Sequence, residues 1–311
     1  MYSLKEINEA VHRDPEGFAL ECDALFEKKV EDAARKIADH RGESHIILLS
    51  GPSGSGKTTT ALKIEEELER RGISTHTVSL DNYFKTRDPL TAPRTADGEY
   101  DLESPLCLDM ELLDETFTRL SRGEEVIIPH FEFSRQMRND ARGRPLKLEK
   151  NEVAIFEGIH ALGPGIAGPH PEATRLYISA RSNVMKDGEV KFKGTWMRLT
   201  RRAVRDYSFR GSDIAYTLSQ WANVRRGEKL YISPYKDTAH VKVDSSLPYE
   251  VSVMKNYALP LLKAVPEENQ RRAELLELMA AFDAFEPIDP ALVAKNSLLR
   301  EFIGGGSYKY K

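Results

Sequence analysis

Short apolar runs alternate along the chain with longer stretches in which apolar residues recur at helical spacing. The runs have the length of strands and fall at 45–50, 75–80, 152–156, 175–179 and 239–243. The amphipathic stretches predict helices at 58–71, 108–120, 197–209, 249–262 and 270–285. Strands that alternate with helices form mainly parallel sheets covered on both faces. The pattern therefore predicts an α/β protein.

The remaining segments predict additions to this framework. Residues 4–40 favour two helices, because Pro15 interrupts their apolar stripe. Residues 126–133 and 147–148 indicate a small β appendage around a basic turn, and the glycine-rich residues 304–311 indicate a mobile tail. The predicted division is a helical N-terminal extension at 1–44, a central domain at 45–265, and a C-terminal helical extension with the tail at 266–311.

Composition narrows the class of protein. The chain has 311 residues, of which 40% are hydrophobic, so it can build a packed core. No apolar run approaches the roughly 20 residues of a membrane span, and the polar start argues against a signal peptide. Two cysteines, Cys22 and Cys107, are too few for a disulfide framework. We expect a cytoplasmic protein without a membrane partner, and a net charge of −4 does not predict a nucleic-acid partner.

One glycine-rich segment carries the strongest chemical indication. Residues 51–58, GPSGSGKT, fit the phosphate-loop pattern G-x-x-x-x-G-K-S/T between a predicted strand and a predicted helix. Backbone N–H groups of such a loop bind phosphate, Lys57 reaches the β- and γ-phosphates, and the Thr58 hydroxyl binds Mg²⁺. The cofactors expected are therefore ATP and Mg²⁺. The predicted ATP-binding residues are Gly51, Pro52, Ser53, Gly54, Ser55, Gly56, Lys57, Thr58 and Thr59.

Two acidic residues follow predicted strands. Asp81 ends the second strand and Glu157 the third, where open α/β sheets place their ligands. Asp81 can accept a proton from an attacking hydroxyl. The alternative, which the position taken alone favours, is a capping or loop residue. Glu157 can hold Mg²⁺, although aspartate is more usual there, and it can also be a strand-end acid without a special role.

The residues alone leave the roles of an arginine-rich helix and of two aromatic side chains undecided. The helix carries Arg198, Arg201, Arg202, Arg205 and Arg210. Guanidinium groups can stabilise a transferring phosphoryl group, whereas the alternatives are a solvated basic helix and a nucleic-acid contact. The phosphate loop favours the first reading, with a lid over ATP at about residues 196–215. Two phenylalanines in the appendage, at 131 and 133, share one strand face, so they can stack a base or fill a core.

The ordered motifs resemble a known enzyme family. The series comprises GPSGSGKTT, SLDNYF, EYDLESP, IPHFEF, FEGIHAL and RRAVRDYSFRG. Together these motifs resemble the uridine kinase and phosphoribulokinase-like family, closest to bacterial uridine kinases, over roughly residues 45–265. The resemblance implies a P-loop kinase domain that transfers the γ-phosphate of ATP to the 5′-hydroxyl of a nucleoside, uridine or cytidine. It also implies a possible homo-oligomer.

The resemblance assigns roles to individual positions. Catalysis falls to Asp81 as the base, assisted by Lys57, Arg202, Arg205 and Arg210. Magnesium falls to Thr58 and Glu157. The acceptor-binding positions are Asp81, Tyr83, Glu103, Phe131, Phe133, Gln136 and Arg138. Among these, Glu103 matches an acid that holds the ribose hydroxyls, and Gln136 or Arg135 replaces a histidine that reads the pyrimidine edge.

Those replacements keep two other functions open. One is a kinase for another hydroxyl, such as that of a sugar phosphate or a pantothenate-like molecule, which the basic residues between Arg135 and Arg144 could assist. The other is a nucleotide-dependent regulatory or RNA-binding protein that has lost turnover, a reading motivated by the altered base-reading positions and the arginine-rich helix.

Overall fold

The computed structural model describes residues 1–269 and 271–310. Its strands are β1 (Tyr2–Ser3), β2 (Ile46–Ser50), β3 (Ser74–Ser79), β4 (Val126–Ile128), β5 (Phe131–Glu132), β6 (Met137–Arg138), β7 (Arg144–Leu146), β8 (Glu152–Glu157), β9 (Thr174–Ser179), β10 (Val184–Lys186), β11 (Glu189–Phe192) and β12 (Val241–Asp244). Its α-helices are α1 (Leu4–Arg13), α2 (Pro15–His40), α3 (Lys57–Arg70), α4 (Met110–Ser121), α5 (Pro164–Ala167), α6 (Gly194–Phe209), α7 (Ile214–Gly227), α8 (Glu250–Lys263), α9 (Arg272–Asp283) and α10 (Arg300–Ile303).

A five-stranded, all-parallel sheet of order β12-β9-β2-β8-β3 forms the centre. Along β2, Ile47 and Leu49 face an apolar cluster that includes α2, α3, α6 and α8, whereas Ile46 and Leu48 face a second cluster that includes α4. Each of these four side chains is at most 1% exposed, a burial that contributes about 1.5–3 kcal/mol apiece. The prediction of a mainly parallel α/β sheet covered on both faces is confirmed.

The predicted elements differ from the observed ones mainly at their ends. The helix predicted at 197–209 begins three residues earlier, at Gly194, because its first turn packs in the apolar cluster that contains Ile47. The helix predicted at 270–285 spans Arg272–Asp283, and Gln270 lies outside the described residues. The β appendage consists of two antiparallel pairs, β4 with β7 and β5 with β6. Its last strand lies slightly earlier than residues 147–148, at Arg144–Leu146.

The N-terminal extension packs into the main core. Two helices form as predicted, with α2 beginning at Pro15 and Asp14 between them, and both share the apolar cluster that contains Ile47. Strand β1 pairs in parallel with β10, which forms an antiparallel hairpin with β11. The ammonium of Lys63 on α3 is ion-paired with Glu27 on α2. Because the core continues past residues 44 and 265, the division at those positions stays a sequence-based prediction.

Two tyrosines in the described part of the C-terminal tail contact α3. The Tyr308 hydroxyl donates to Glu66 at 2.8 Å, and the Tyr310 hydroxyl lies 3.1 Å from Oγ1 of Thr59. These tyrosines give the described part of the tail specific contacts. The mobility of the tail stays a prediction. No helix in the described parts of the chain is both long enough and apolar enough to cross a membrane.

Candidate active site

The phosphate loop joins β2 to α3, as the sequence predicts. Gly54 and Gly56 have φ values of +74° and +80°, in the left-handed region that favours glycine. A Cβ on Gly54 would also lie 2.6 Å from the carbonyl oxygen of Arg198, so α6 can approach the loop only at a glycine. Within residues 1–269 and 271–310, the N–H groups of Gly56, Lys57 and Thr58 have no protein acceptor. These donors at a helix start are suited to bind an anion.

Lys57, Asp81 and Glu157 form one charged cluster beside the loop. Glu157 ends β8 between Leu49 of β2 and Ser79 of β3, and Asp81 lies in the short helical turn that follows β3. Burial lowers the pKa of Lys57, and the negative charges of Glu157 and Asp81 oppose that shift. The carboxyl ends of neighbouring parallel strands therefore bring both predicted acids to the predicted lysine.

Both acids in the cluster hold protons more tightly than usual. Burial raises the pKa of Glu157 to about 7; Lys57 lowers it and Asp81 raises it further. Burial also raises the pKa of Asp81, against the opposing effects of Lys57, Arg210 and Arg205. A carboxyl whose pKa is raised in this way is better matched to accept a proton near neutral pH.

The residues present fit a magnesium ion that is shared with phosphate oxygens. Among the described residues, no group of three or more His, Cys, Asp or Glu side chains could enclose a metal. Thr58 is the second residue of α3 and Glu157 ends β8 at the same edge of the sheet, so together they provide a hydroxyl and a carboxylate. Mg²⁺ is usually bound by one or two such groups plus substrate phosphates and water, and therefore needs no complete protein cage.

Asp206 holds the three arginines assigned to catalysis. Its carboxylate lies 3.3 Å from Nε of Arg202, 2.7 Å from Nη2 of Arg205 and 3.8 Å from Nε of Arg210. Arg202 also donates to Oγ of Ser53, in the phosphate loop, at 3.0 Å. Sequence reasoning did not select Asp206, although its position four residues after Arg202 on a helix is the spacing of an ion pair.

The other two arginines of α6, Arg198 and Arg201, are buried and form ion pairs in the core. Arg198 donates to both carboxylate oxygens of Glu228, at 2.9 and 2.8 Å, and Arg201 is paired with Glu250 without any exposed surface. Arg198 and Arg201 also donate to loop carbonyls, those of Ser53 and Gly54, each at 3.3 Å. The predicted lid helix is thus largely a buried core helix that supports the loop from one side.

Glu103 reaches the site from the loop that precedes α4. Burial raises its pKa to about 7, and Arg202 and Lys57 lower it. The side chain passes α7 at Gly227, where a Cβ would lie 2.3 Å from that of Glu103. Sequence reasoning missed the neighbouring Asp101, which is 3% exposed and accepts hydrogen bonds from Arg226 and Tyr231 at 2.6 and 2.9 Å. These partners lie 125 and 130 residues away in sequence, so no local pattern indicates them.

The two predicted base-stacking rings differ in access. Phe131 is 7% exposed and Phe133 is 55% exposed, and the two rings meet edge to face at 5.2 Å. Both also pack against Phe84, at 5.5 and 6.3 Å. Phe133 therefore has free surface on which a ligand could stack, whereas Phe131 mainly supports the cluster.

Three other predicted acceptor residues are engaged within the protein. Tyr83 has no exposed surface and its hydroxyl donates to Thr116 at 3.3 Å, which corrects its assignment to the acceptor. The Gln136 amide donates to the carbonyl of Phe133 at 2.7 Å and accepts from Arg87 at 2.7 Å. The contacts of Arg138 are with two carboxylates, those of Asp109 at 2.8 Å and Asp140 at 3.0 Å.

Comparison with known proteins agrees with this geometry. The Phosphoribulokinase / Uridine kinase family matches residues 46–252. The chain belongs to this family. Uridine kinase of Macrococcus caseolyticus is 30% identical over 197 residues, which cover 63% of this chain and 85% of that protein. Uridine kinase of Staphylococcus haemolyticus is 29% identical over the same shares.

A solved structure agrees with the fold. The putative fructose transport system kinase from Silicibacter sp. TM1040 aligns with a TM-score of 0.50 at 17% identity, covering 69% of this chain and 98% of that one. At this identity the likeness concerns the fold alone. Family membership makes the chain a kinase, and the choice of acceptor rests on the site.

Proposed function

We propose that the chain is an ATP-dependent nucleoside kinase that phosphorylates the 5′-hydroxyl of uridine or cytidine. The observation that carries the proposal is the cluster of Lys57, Asp81 and Glu157 at the carboxyl end of the parallel sheet. It joins an anion-binding loop to a buried carboxylate, the two elements that transfer of a phosphoryl group to an alcohol requires. The curated relatives named uridine kinase support a nucleoside as the acceptor.

In the proposed reaction, Asp81 accepts the proton of the acceptor hydroxyl. The hydroxyl oxygen forms a bond to the γ-phosphorus of ATP, the bond from that phosphorus to its bridging oxygen breaks, and ADP leaves. Lys57 and the guanidinium groups held by Asp206 neutralise charge on the transferring group. Mg²⁺, held between Thr58, Glu157 and the phosphates, would supply further neutralisation of charge.

The acceptor would lie between Asp81 and the loop that carries Glu103. The carboxylate of Glu103 can accept hydrogen bonds from ribose hydroxyls, and the exposed ring of Phe133 offers a stacking surface for a base. In this proposal, Glu103 recognises the sugar and Phe133 recognises the base.

A second candidate is a kinase for another small-molecule hydroxyl. The observation that favours it is the engagement of Gln136 and Arg138 in contacts within the protein, because these are the side chains expected to read the base. Glu103 can bind vicinal hydroxyls of a sugar as readily as those of a nucleoside.

A panel of acceptors tests both candidates. The protein is incubated with ATP and Mg²⁺ and with uridine, cytidine, adenosine, guanosine, a ketose, a sugar phosphate or pantothenate, and the phosphorylated product is identified by mass spectrometry. The proposal expects uridine or cytidine 5′-monophosphate, absent with the Asp81→Asn variant. A phosphorylated sugar or pantothenate alone would establish the second candidate, and tight ATP binding without any product would overturn both.

A further inference from the structure

The phosphate-binding end of α3 already holds an anion that belongs to the chain itself. The backbone N–H and the hydroxyl of Thr59 both donate to Oε2 of Glu301, at 3.1 and 2.5 Å. Glu301 lies 242 residues further along the chain, in α10, and is 8% exposed. Thr59 is the third residue of α3, so its N–H is among the free donors with which a helix start binds anions.

Glu301 is held in this position by its neighbours. A methyl group of Leu298 lies 2.8 Å from where a Cβ on Gly56 would be, so the preceding residues cover the loop. The ring of Phe302 has no exposed surface and lies 5.1 Å beneath the guanidinium of Arg201. Beyond Gly304, the hydroxyl of Tyr310 lies 3.1 Å from Oγ1 of Thr59. The carboxylate therefore belongs to a C-terminal segment, residues 298–310, that contacts the loop, α6 and α3, and it is not a surface side chain in chance contact.

A bound nucleotide would need the same donor. Among the described residues, the N–H groups of Gly56, Lys57 and Thr58 have no acceptor, whereas that of Thr59 donates to Glu301. Lys57 is expected on the β- and γ-phosphates, so the phosphate nearest to Thr59 is the one attached to the nucleoside. The N–H of Thr59 cannot donate fully to a carboxylate and to a phosphate at the same time. A phosphate placed at this N–H would also be repelled by the negative charge of the Glu301 carboxylate.

We propose that Glu301 is an internal competitor of the nucleotide, whose α-phosphate must displace its carboxylate from Thr59. The proposal rests on the nucleotide binding proposed above. Since the C-terminal segment packs on α6 through Phe302 and through Gly304 beside Phe209, displacement also acts on the helix that carries the arginines. In the free protein, the C-terminal segment thus occupies the Thr59 donor of the phosphate site.

Calorimetric titration with ADP and Mg²⁺, and separately with adenosine, tests the competition. The full-length wild type is compared with Glu301→Gln, which keeps the volume and removes the charge, and with Glu301→Ala. We expect both variants to bind ADP about tenfold more tightly, since a hydrogen bond to a charged group no longer has to be exchanged. Adenosine has no phosphate, so its affinity should change less than about twofold in either variant.

A control variant and a second readout separate competition from general loosening. Glu66→Gln removes the carboxylate that binds Tyr308 in the same tail but leaves Thr59 untouched, so its affinity for ADP should match the wild type. In the wild type, ADP but not adenosine should raise amide hydrogen exchange in residues 299–310. Thermal unfolding of each variant establishes that it is folded.

The outcomes distinguish this inference from the proposed function. Equal or weaker ADP binding by folded Glu301→Gln would overturn the competition while leaving nucleotide binding intact. Tighter binding by both variants with no phosphorylated acceptor would support the competition and overturn the kinase assignment. Failure of all the proteins to bind ADP would overturn both.

Discussion

Arg201 and Glu250 form an ion pair in which neither side chain has any exposed surface. Nε of Arg201 donates to Oε2 of Glu250 at 2.9 Å. The same guanidinium donates to the carbonyl of Gly54 in the phosphate loop at 3.3 Å and to that of Ser245 after β12 at 2.8 Å. One buried cation therefore links the loop to the first turn of α8.

Removal of one partner of this pair should destabilise the fold. Glu250→Ala leaves Arg201 buried without its counter-charge, so the free energy of unfolding should fall by about 3–5 kcal/mol in a urea titration. The control is Glu274→Ala, which removes an exposed partner of Arg271 and should cost less than about 1 kcal/mol. A loss as small as the control's would show that water reaches Arg201.

Asp81→Asn should abolish most of the turnover. An amide cannot accept the proton of the acceptor hydroxyl, so kcat should fall by about 100-fold or more. Affinity for ADP should be retained, because Asp81 lies after β3 and outside the phosphate loop. The measurement is ADP release at saturating acceptor, with Asp187→Asn in the exposed turn between β10 and β11 as the control. Turnover close to the wild type would refute the role of the base.

Asp206→Asn tests whether the arginines need a common anchor. The carboxylate aligns Arg202, Arg205 and Arg210, so its loss should lower kcat by about tenfold by weakening stabilisation of the transferring group. The KM for ATP should change less than kcat. Because a smaller folded fraction would also lower the apparent kcat at an unchanged KM, thermal unfolding of the variant establishes that it is folded. Asp206→Glu should have a kcat between those of Asp206→Asn and the wild type. If both variants were as active as the wild type, Asp206 would not position the arginines.

The strands and the phosphate loop were predictable because their causes are local. Both faces of β2 are buried, so Ile46 and Leu49 lie in one continuous apolar run. The glycines after that run permit the backbone conformation that the loop requires. The acids Asp81 and Glu157 could be placed at the same edge because parallel strands end there.

The contacts that complete the site could not be predicted in this way. Glu301 meets Thr59, and Arg226 meets Asp101, only because packing brings together residues that are 242 and 125 positions apart. The resemblance also misled at Tyr83, whose aromatic ring suits a ligand contact and a core equally well. Sequence motifs therefore indicated more of the proposed phosphate-binding residues than of the proposed acceptor-binding residues.

Asp23 should make stability depend on pH. Its carboxylate accepts from the hydroxyls of Tyr249 and Ser297 at 3.0 and 2.9 Å, yet burial raises its pKa to about 6. A carboxyl whose pKa is raised on folding binds its proton more tightly in the folded state. The contribution of this proton to the free energy of unfolding is therefore fully present below the unfolded pKa of about 4. It is lost as the pH rises through the folded pKa of about 6, a change of about 2–3 kcal/mol.

The Asp23→Asn variant isolates this contribution, because an asparagine does not titrate. Urea unfolding of both proteins at pH 4 to 7 should show the stability of the variant rising relative to the wild type by about 2–3 kcal/mol, since only the wild type loses a proton. Other buried acids cancel in the difference. The control is Asp32→Asn, on the exposed side of the same helix. Between pH 4 and 7, its stability relative to the wild type should change by less than about 0.5 kcal/mol. A difference that is flat with pH for Asp23→Asn would mean that Asp23 is already ionised in the core and that its two hydroxyl donors offset the cost of burial.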